Sequence, residues 1–323
     1  MKTICLYFEI HQIIHLRRYR FFDIGTDHYY YDDYENERSI TDIVQRSYIP
    51  ALDTLLQMIK DSNGYFKVAL CLSGVGIESL EKYAPEVIEK VQELAKTGCV
   101  EFLAEPYSHG LASLGNEDSF KAEVKRQSKK IKEYFGYTPK VLRNSSLIYS
   151  DEIGRMAAEM KFKGMITEGA KHVLGWKSPN FVYKNAIDEN LNLLLKNSKL
   201  SDDIAIRFSD RNWSEYPLTS EKYISWVKNS LQDSEVLNLF MNYEVIGHYN
   251  RAESGIFDFL RYFIQQIAEN PNYQFLLPKE VTKKHTAKDI LPVPYPISWT
   301  DEERDTTSWL GNELQKEAFN ELF

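Results

Sequence analysis

The sequence is poor in cysteine and has no excess of positive charge. Its three cysteines, Cys5, Cys71 and Cys99, form no CxxC pair and sit in apolar runs. That usage fits inert core thiols in a reducing compartment, not a disulfide framework. The formal net charge of −8 argues against nonspecific nucleic-acid binding, which needs a basic face. No run of about 18 apolar residues occurs, so no membrane span is expected. The opening MKTICLYFEIHQ is interrupted by Glu9 and His11, which is unlike a signal peptide, and a cytoplasmic location is expected. There is no internal repeat and no low-complexity tract. The glycine-rich stretch SGVGIE (73–78) lacks both GxGxxG and GK[ST], so it predicts tight backbone turning and no phosphate cradle. No cofactor motif is present.

What remains is an ordinary globular composition, with 43% hydrophobic and 27% charged residues over 323 positions. Such a chain can bury a sizeable core. Apolar runs of strand length recur at 3–10, 66–73, 99–105, 139–144, 163–168, 191–196 and 235–243. Between them, apolar positions repeat every three to four residues at 39–62, 79–98, 119–136 and 150–162, which predicts helices. Ser150 with Asp151 is a candidate N-cap, and Gly98 and Gly136 are candidate helix stops. Nearly continuous apolar strands, alternating with amphipathic helices, predict a parallel sheet covered on both faces. Seven of them predict a closed or nearly closed α/β barrel over residues 1–275. Residues 276–323 read as a loop-rich crossing on the barrel surface, followed by an amphipathic C-terminal helix.

In parallel barrels the chemistry lies at the C-terminal ends of the strands. The segments at those ends are Glu9–Gln12, Ser73–Glu78, Glu105–His109, Arg143–Ser146, Glu168 and Asn242–Glu244, and they hold most of the unusual polar residues. The tyrosine-rich acidic stretch at 23–39 reads as a solvated surface loop, with a flap over a groove as the alternative. His11 and His15 have HxxxH spacing, but the glutamate of HExxH is missing and a loop is expected there, so no metal is assigned.

Seven ordered segments, FEIHQ, LSGVGIESLE, GCVEFLAEPYSHGLASL, VLRNSSLIYSDEI, FKGMITEG, LNLFMNYEVIGHY and SWTDEERDTTSWLGNE, resemble the sequence regions of glycoside hydrolase family 57, in its α-amylase branch. The resemblance implies a (β/α)7 barrel, a distorted TIM-like barrel, followed by a helical region. It also implies a retaining mechanism on α-1,4-glucans. The chain stops inside its last helix, so it is expected to be shorter than its relatives. A retaining pair of carboxylates stands about 5–5.5 Å apart, one attacking the anomeric carbon while the other protonates the leaving oxygen. The family's fourth-strand pattern places a glutamate nucleophile where this chain has Ser146, within Arg143-Asn144-Ser145-Ser146. Its seventh-strand pattern places an aspartate acid/base where this chain has Asn242. The resemblance also points to His11 as a sugar contact. Gln12, Glu78, Glu105, His109, Arg143, Asn144, Glu168, Tyr243, Glu244 and Trp299 complete the candidate substrate-binding set.

The two substitutions bear directly on function. Serine is a weak nucleophile without an adjacent base, and asparagine cannot donate a catalytic proton. The expectation is therefore an α-amylase-like protein that binds an α-glucan or maltooligosaccharide and hydrolyses little or none. One alternative is an active hydrolase or 4-α-glucanotransferase that uses Glu9, Glu105, Glu168 or Glu244 instead. A carbohydrate deacetylase or a purely structural protein are further alternatives.

Overall fold

The computed structural model describes residues 1–323. All seven apolar runs form strands: β1 (Lys2–Ile10), β2 (Val68–Leu72), β3 (Val100–Leu103), β4 (Val141–Arg143), β5 (Gly164–Thr167), β7 (Asn192–Leu195) and β8 (Val236–Asn242). Three short strands were not legible in the sequence: β6 (Val182–Lys184), β9 (Tyr273–Phe275) and β10 (Asp289–Ile290). One sheet runs β3-β2-β1-β8 and the other β10-β6-β7-β5-β4. Single parallel bridges join them at both seams, Ala104 to Leu142 and Lys196 to Asn238. The circuit β1-β2-β3-β4-β5-β7-β8 is thus closed and parallel, and the chain is an α/β barrel of seven strands. The distortion lies low in the barrel. There β9 takes the edge of β1 at Lys2–Ile4, and β6 pairs antiparallel with β7.

Alternation along each strand sets two environments. On β1, Ile4, Leu6, Phe8 and Ile10 face the surrounding helices, while Cys5 and Tyr7 face the barrel interior. The interior carries Ala69, Leu103, Val141, Ile166 and Leu194, and burying each large apolar side chain contributes roughly 1.5–3 kcal/mol. Burial pushes the Cys5 and Cys71 thiols well above their ordinary pKa, consistent with inert core cysteines.

The helices follow the expected periods with two local breaks. Pro85 has no amide proton, and the 79–98 pattern divides there into Gly74–Tyr83 and Pro85–Lys96. A single π-turn at Val44–Tyr48 interrupts the 39–62 pattern and turns Tyr48 inward. Gly74 is required by packing, because a Cβ there would stand 2.2 Å from the Tyr107 ring. The SGVGIE stretch is therefore a helix start, capped by the Ser73 hydroxyl, which accepts from Gly76 N at 3.0 Å.

The segment after Phe275 corrects the expectation of a surface crossing. Helix Pro278–Lys284 closes the bottom of the barrel, with Val281 buried in the interior cluster. Lys279 N donates to the buried Glu101 carboxylate at 2.8 Å. Leu291, Val293 and Ile297 are also buried, against the Asp151–Glu159 side of the barrel. Apolar residues spaced by proline and lysine gave no periodicity, so their burial could not be read locally. The final helix, Glu313–Leu322, is shorter than expected and has no buried residue. No helix is long and apolar enough to cross a membrane.

Candidate functional site

At the C-terminal ends of the strands the interior changes from apolar to charged. Arg143, at the end of β4, is fully buried. Its guanidinium grips Glu9 at both carboxylate oxygens, with Nη2 to Oε2 at 2.7 Å, and reaches Glu105 Oε2 at 3.5 Å. His109 Nδ1 lies 3.1 Å from Glu9 and 3.1 Å from Glu105. The His11 ring stacks on His109 with centroids 4.2 Å apart, and its Nδ1 meets Ser73 Oγ at 2.8 Å. Two cations and two carboxylates thus neutralise one another. Glu9, Glu105 and His109 also place ligand atoms within 4.8 Å, as a metal site would. The Arg143 guanidinium already supplies the positive charge between them.

The protonation states follow from this packing. Burial works against the Glu9 charge, but Arg143 and His109 outweigh it and hold the carboxyl down at about 2. Burial likewise opposes a charged His109, yet Glu9 and Glu105 lift it to about 9. Burial and the neighbouring His109 charge push His11 down to about 4, so it is neutral.

A second cluster lies across the Phe240 ring. Arg143 Cζ stands 5.2 Å from that ring's centroid and Lys196 Nζ stands 5.9 Å from it. Lys196 pairs with Asp202 at 3.0 Å and lies 3.9 Å from Glu168. Ser198 donates to the other Glu168 oxygen. Burial raises the Glu168 carboxyl above its ordinary value, and its Oε2 accepts no hydrogen bond. Arg304 adds a second cation on Asp202, at 3.0 Å.

Ser146 and Asn242 are both half-buried. Ser146 has φ 50° and ψ 27°, and Leu147 also has positive φ, so the loop is held in a conformation costly for residues other than glycine. The Ser146 carbonyl accepts from Trp299 N at 3.2 Å and from Ser298 Oγ at 3.0 Å. No histidine or carboxylate hydrogen-bonds its hydroxyl. Asn242 ends β8 in register with Glu9, and its Oδ1 has no partner. Glu244 lies behind it, buried, accepting from Tyr48 and from Gln12 at 2.9 Å. Burial pushes its carboxyl up to about 7.

Three candidate contacts fall outside this cluster. Glu78 is exposed on its helix and engages Tyr107, Lys130 and Arg126, so its helical position turns it away from the strand ends. Asn144 spends its side chain on the loop itself, bonding Ser113 at 2.8 Å, Ile148 O at 2.9 Å and Ser145 N at 2.9 Å. Tyr243 is fully buried and packs edge-on against Phe8 at 5.5 Å. In each case the side chain is directed elsewhere than the expectation placed it. Lys196, Asp202, Ser198, Tyr48 and Arg304 were missed as members of the cluster. Lys196 closes the apolar run LNLLLK at a strand end, which was a usable signal. The two elements bearing Asp202 and Arg304 gave none.

The histidine pair at 11 and 15 has separate partners, since His15 Nε2 meets Ser39 Oγ at 3.3 Å. The loop that follows is pinned at its neck by Arg17 N to Tyr30 O and Asp32 N to His15 O. It exposes Phe21, Phe22, Ile24 and Tyr29. Helix Asp33–Ile43 then begins inside the stretch read as a loop.

These protonation states predict how stability varies with pH. The raised His109 contributes fully below about pH 6.5 and loses its contribution as pH rises toward 9. Glu244, raised to about 7, and Glu101, raised by burial to about 8, act in the same direction, because each ionises at a lower pH when unfolded. Glu9 and His11 act oppositely: Glu9 loses its contribution as pH falls from about 4.3 toward 2, and the lowered His11 opposes one of the two raised carboxyls between about pH 6.5 and 4. The thermal midpoint should therefore peak near about pH 4.5–5 and decline steadily toward alkaline pH. Calorimetry across that range checks this, and a flat profile would refute it.

Comparison with known proteins places this geometry in context. The model of the family described as Glycosyl hydrolase family 57 matches residues 5–294. A Methanocaldococcus jannaschii protein carrying the description "Putative alpha-amylase" is 38% identical over 296 residues, covering 91% of this chain and 62% of that protein. The 4-alpha-glucanotransferase of Thermococcus litoralis superposes with a TM-score of 0.72 at 16% identity, over 92% of this chain and 42% of that one. The branching enzyme of Thermococcus kodakaraensis, solved in complex with glucose, gives 0.74 at 12% identity, over 98% and 77%. At such identities the superpositions speak for the fold. The chain spans less than two thirds of the length of the curated relative and under half of the glucanotransferase.

Proposed function

The chain belongs to glycosyl hydrolase family 57, and from that premise we propose that it is an α-amylase-like protein that binds α-glucan without hydrolysing it. The observation that carries the proposal is the state of the carboxylates. Ser146 and Asn242 stand at the two positions where the family resemblance calls for acids. The acids that could replace them each have a partner on at least one oxygen: Glu9 with Arg143, Glu105 with His109, Glu168 with Ser198, and Glu244 with Tyr48 and Gln12, while Glu105 Oε1 and Glu168 Oε2 accept no hydrogen bond. The charges around the site also balance without a catalytic pair. Arg143 and His109 offset Glu9 and Glu105, while Lys196 and Arg304 offset Glu168 and Asp202. Paired charges suit a neutral sugar, whose hydroxyls can pair with unpartnered groups such as Asn242 Oδ1. His11, Gln12, Glu168 and Trp299 are the proposed contacts, within a protein we place in the cytoplasm.

The test is calorimetric titration with maltoheptaose beside an assay of reducing-end release. Saturable binding with no release above buffer is expected. Release by the wild-type chain that Glu168→Gln or Glu244→Gln abolishes would establish the rewired hydrolase instead. The raised Glu244 carboxyl is the observation in favour of that second reading. Absence of binding to any maltooligosaccharide would leave a structural role.

A further inference from the structure

After Ile297 the chain doubles back over the loop that carries Ser146. Tyr149 and Ile297 exchange backbone hydrogen bonds of 3.0 and 2.8 Å, and Trp299 N then donates to Ser146 O at 3.2 Å. The other end of this turn is closed by Ser298 N to Arg304 O at 3.2 Å and by Arg304 Nη1 to Trp299 O at 2.6 Å. The peptide units on both sides of Trp299 are therefore held, one by the fourth-strand loop and one by Arg304. Arg304 adopts φ 58°, a conformation that a non-glycine residue keeps only where its surroundings enforce it.

The enforcement comes from the barrel. Arg304 Nη2 meets Asp202 Oδ2 at 3.0 Å, and Asp202 Oδ1 accepts from Lys196 Nζ at 3.0 Å. Lys196 and Asp202 are buried, and Lys196 Nζ lies 5.4 Å from the centre of the Trp299 ring. One continuous chain of charges thus runs from the sixth strand of the barrel circuit to the Trp299 backbone. Two buried polar atoms beside it have no partner: Trp299 Nε1, a donor, and Glu168 Oε2, an acceptor. A buried unpaired group is costly, and a ligand hydroxyl both donates and accepts.

We propose that Asp202 and Arg304 are positioning residues whose ion pair, anchored on Lys196, holds Trp299 at the Ser146 end of the site as the stacking platform for a glucosyl ring. The proposal rests on the α-glucan reading for its ligand and on geometry alone for the position of Trp299. An indole contributes little conformational entropy cost when its place is set beforehand, so loosening the clasp weakens binding without touching the sugar.

The test uses the full chain labelled with 5-fluorotryptophan, with the Trp299 fluorine signal assigned as the one lost in Trp299→Phe. In Arg304→Met and in Asp202→Asn, that signal should shift and broaden without sugar, and maltoheptaose affinity should fall about tenfold. Arg304→Lys, which keeps the charge, should recover part of both. A Trp299 signal unmoved in both variants overturns the proposal, as does unchanged affinity when the signal has moved. If the wild-type chain binds no maltoheptaose, the glucan reading and the platform role fall together. The clasp is then judged by the sugar-free signal alone.

Discussion

Ser146→Glu combined with Asn242→Asp is expected to create glucan hydrolysis, at least about a thousandfold above the wild-type rate. Both positions can accept the change. The Ser146 side chain is half-buried and unpaired, so a longer side chain can extend into the site, and the backbone already tolerates positive φ there. Asparagine and aspartate have the same shape, and Asn242 lies in register with Glu9. A new carboxyl there would be half-buried, and burial raises a carboxyl pKa, which an acid/base needs. Each single variant should gain little, because both groups act on one oxocarbenium-like transition state. Reducing-end release from maltoheptaose measures the gain. A double variant that binds maltoheptaose but releases nothing would show that the site has lost more than its two acids.

The second large effect concerns Arg143. Replacing it with methionine should cost about 3–5 kcal/mol, because Glu9 and Glu105 would be left buried without a counter-charge beyond His109. Arg143→Lys should cost less, keeping the charge but losing the two-oxygen grip on Glu9. Adding Glu9→Gln and Glu105→Gln to Arg143→Met should recover a large share, since the penalty belongs to the uncompensated charge. Urea midpoints measure all three. A loss below about 1 kcal/mol for Arg143→Met would mean the cluster is far more hydrated than its burial implies.

Much of the fold was legible because it depends on local patterns. Seven runs such as VALCL and LNLLL are nearly continuous in apolar residues, as expected of strands covered on both faces. Helix ends were legible where the cap is chemical: the Ser150 side chain accepts from Ile153 N, and Gly136 adopts φ 67°. The strands β6, β9 and β10 were not, since two or three residues carry no period, and β9 and β10 also pair with strands distant in sequence. The same division holds in the site. Ser146 and Asn242 were assigned from their place in the motifs of the resemblance, whereas the direction of Glu78 was not legible because the sequence does not say which way a helix turns its first residues.

The sequence by itself determined the seven-stranded α/β class, the rim on which polar residues would gather, and the presence of Ser146 and Asn242 within the motifs that carry the family resemblance. Hydrophobic spacing and residue identity are properties of the chain at each point, so no folding is needed to read them. Only the tertiary structure decided that Arg143 neutralises Glu9 and Glu105, that helix Pro278–Lys284 seals the barrel, and that Arg304 reaches back to Asp202. Those facts are pairings between groups 38 to 178 residues apart, and electrostatic compensation depends on distance in space. In this protein, which charges pair at the site was settled by where the strand ends meet and where the C-terminal segment returns to them.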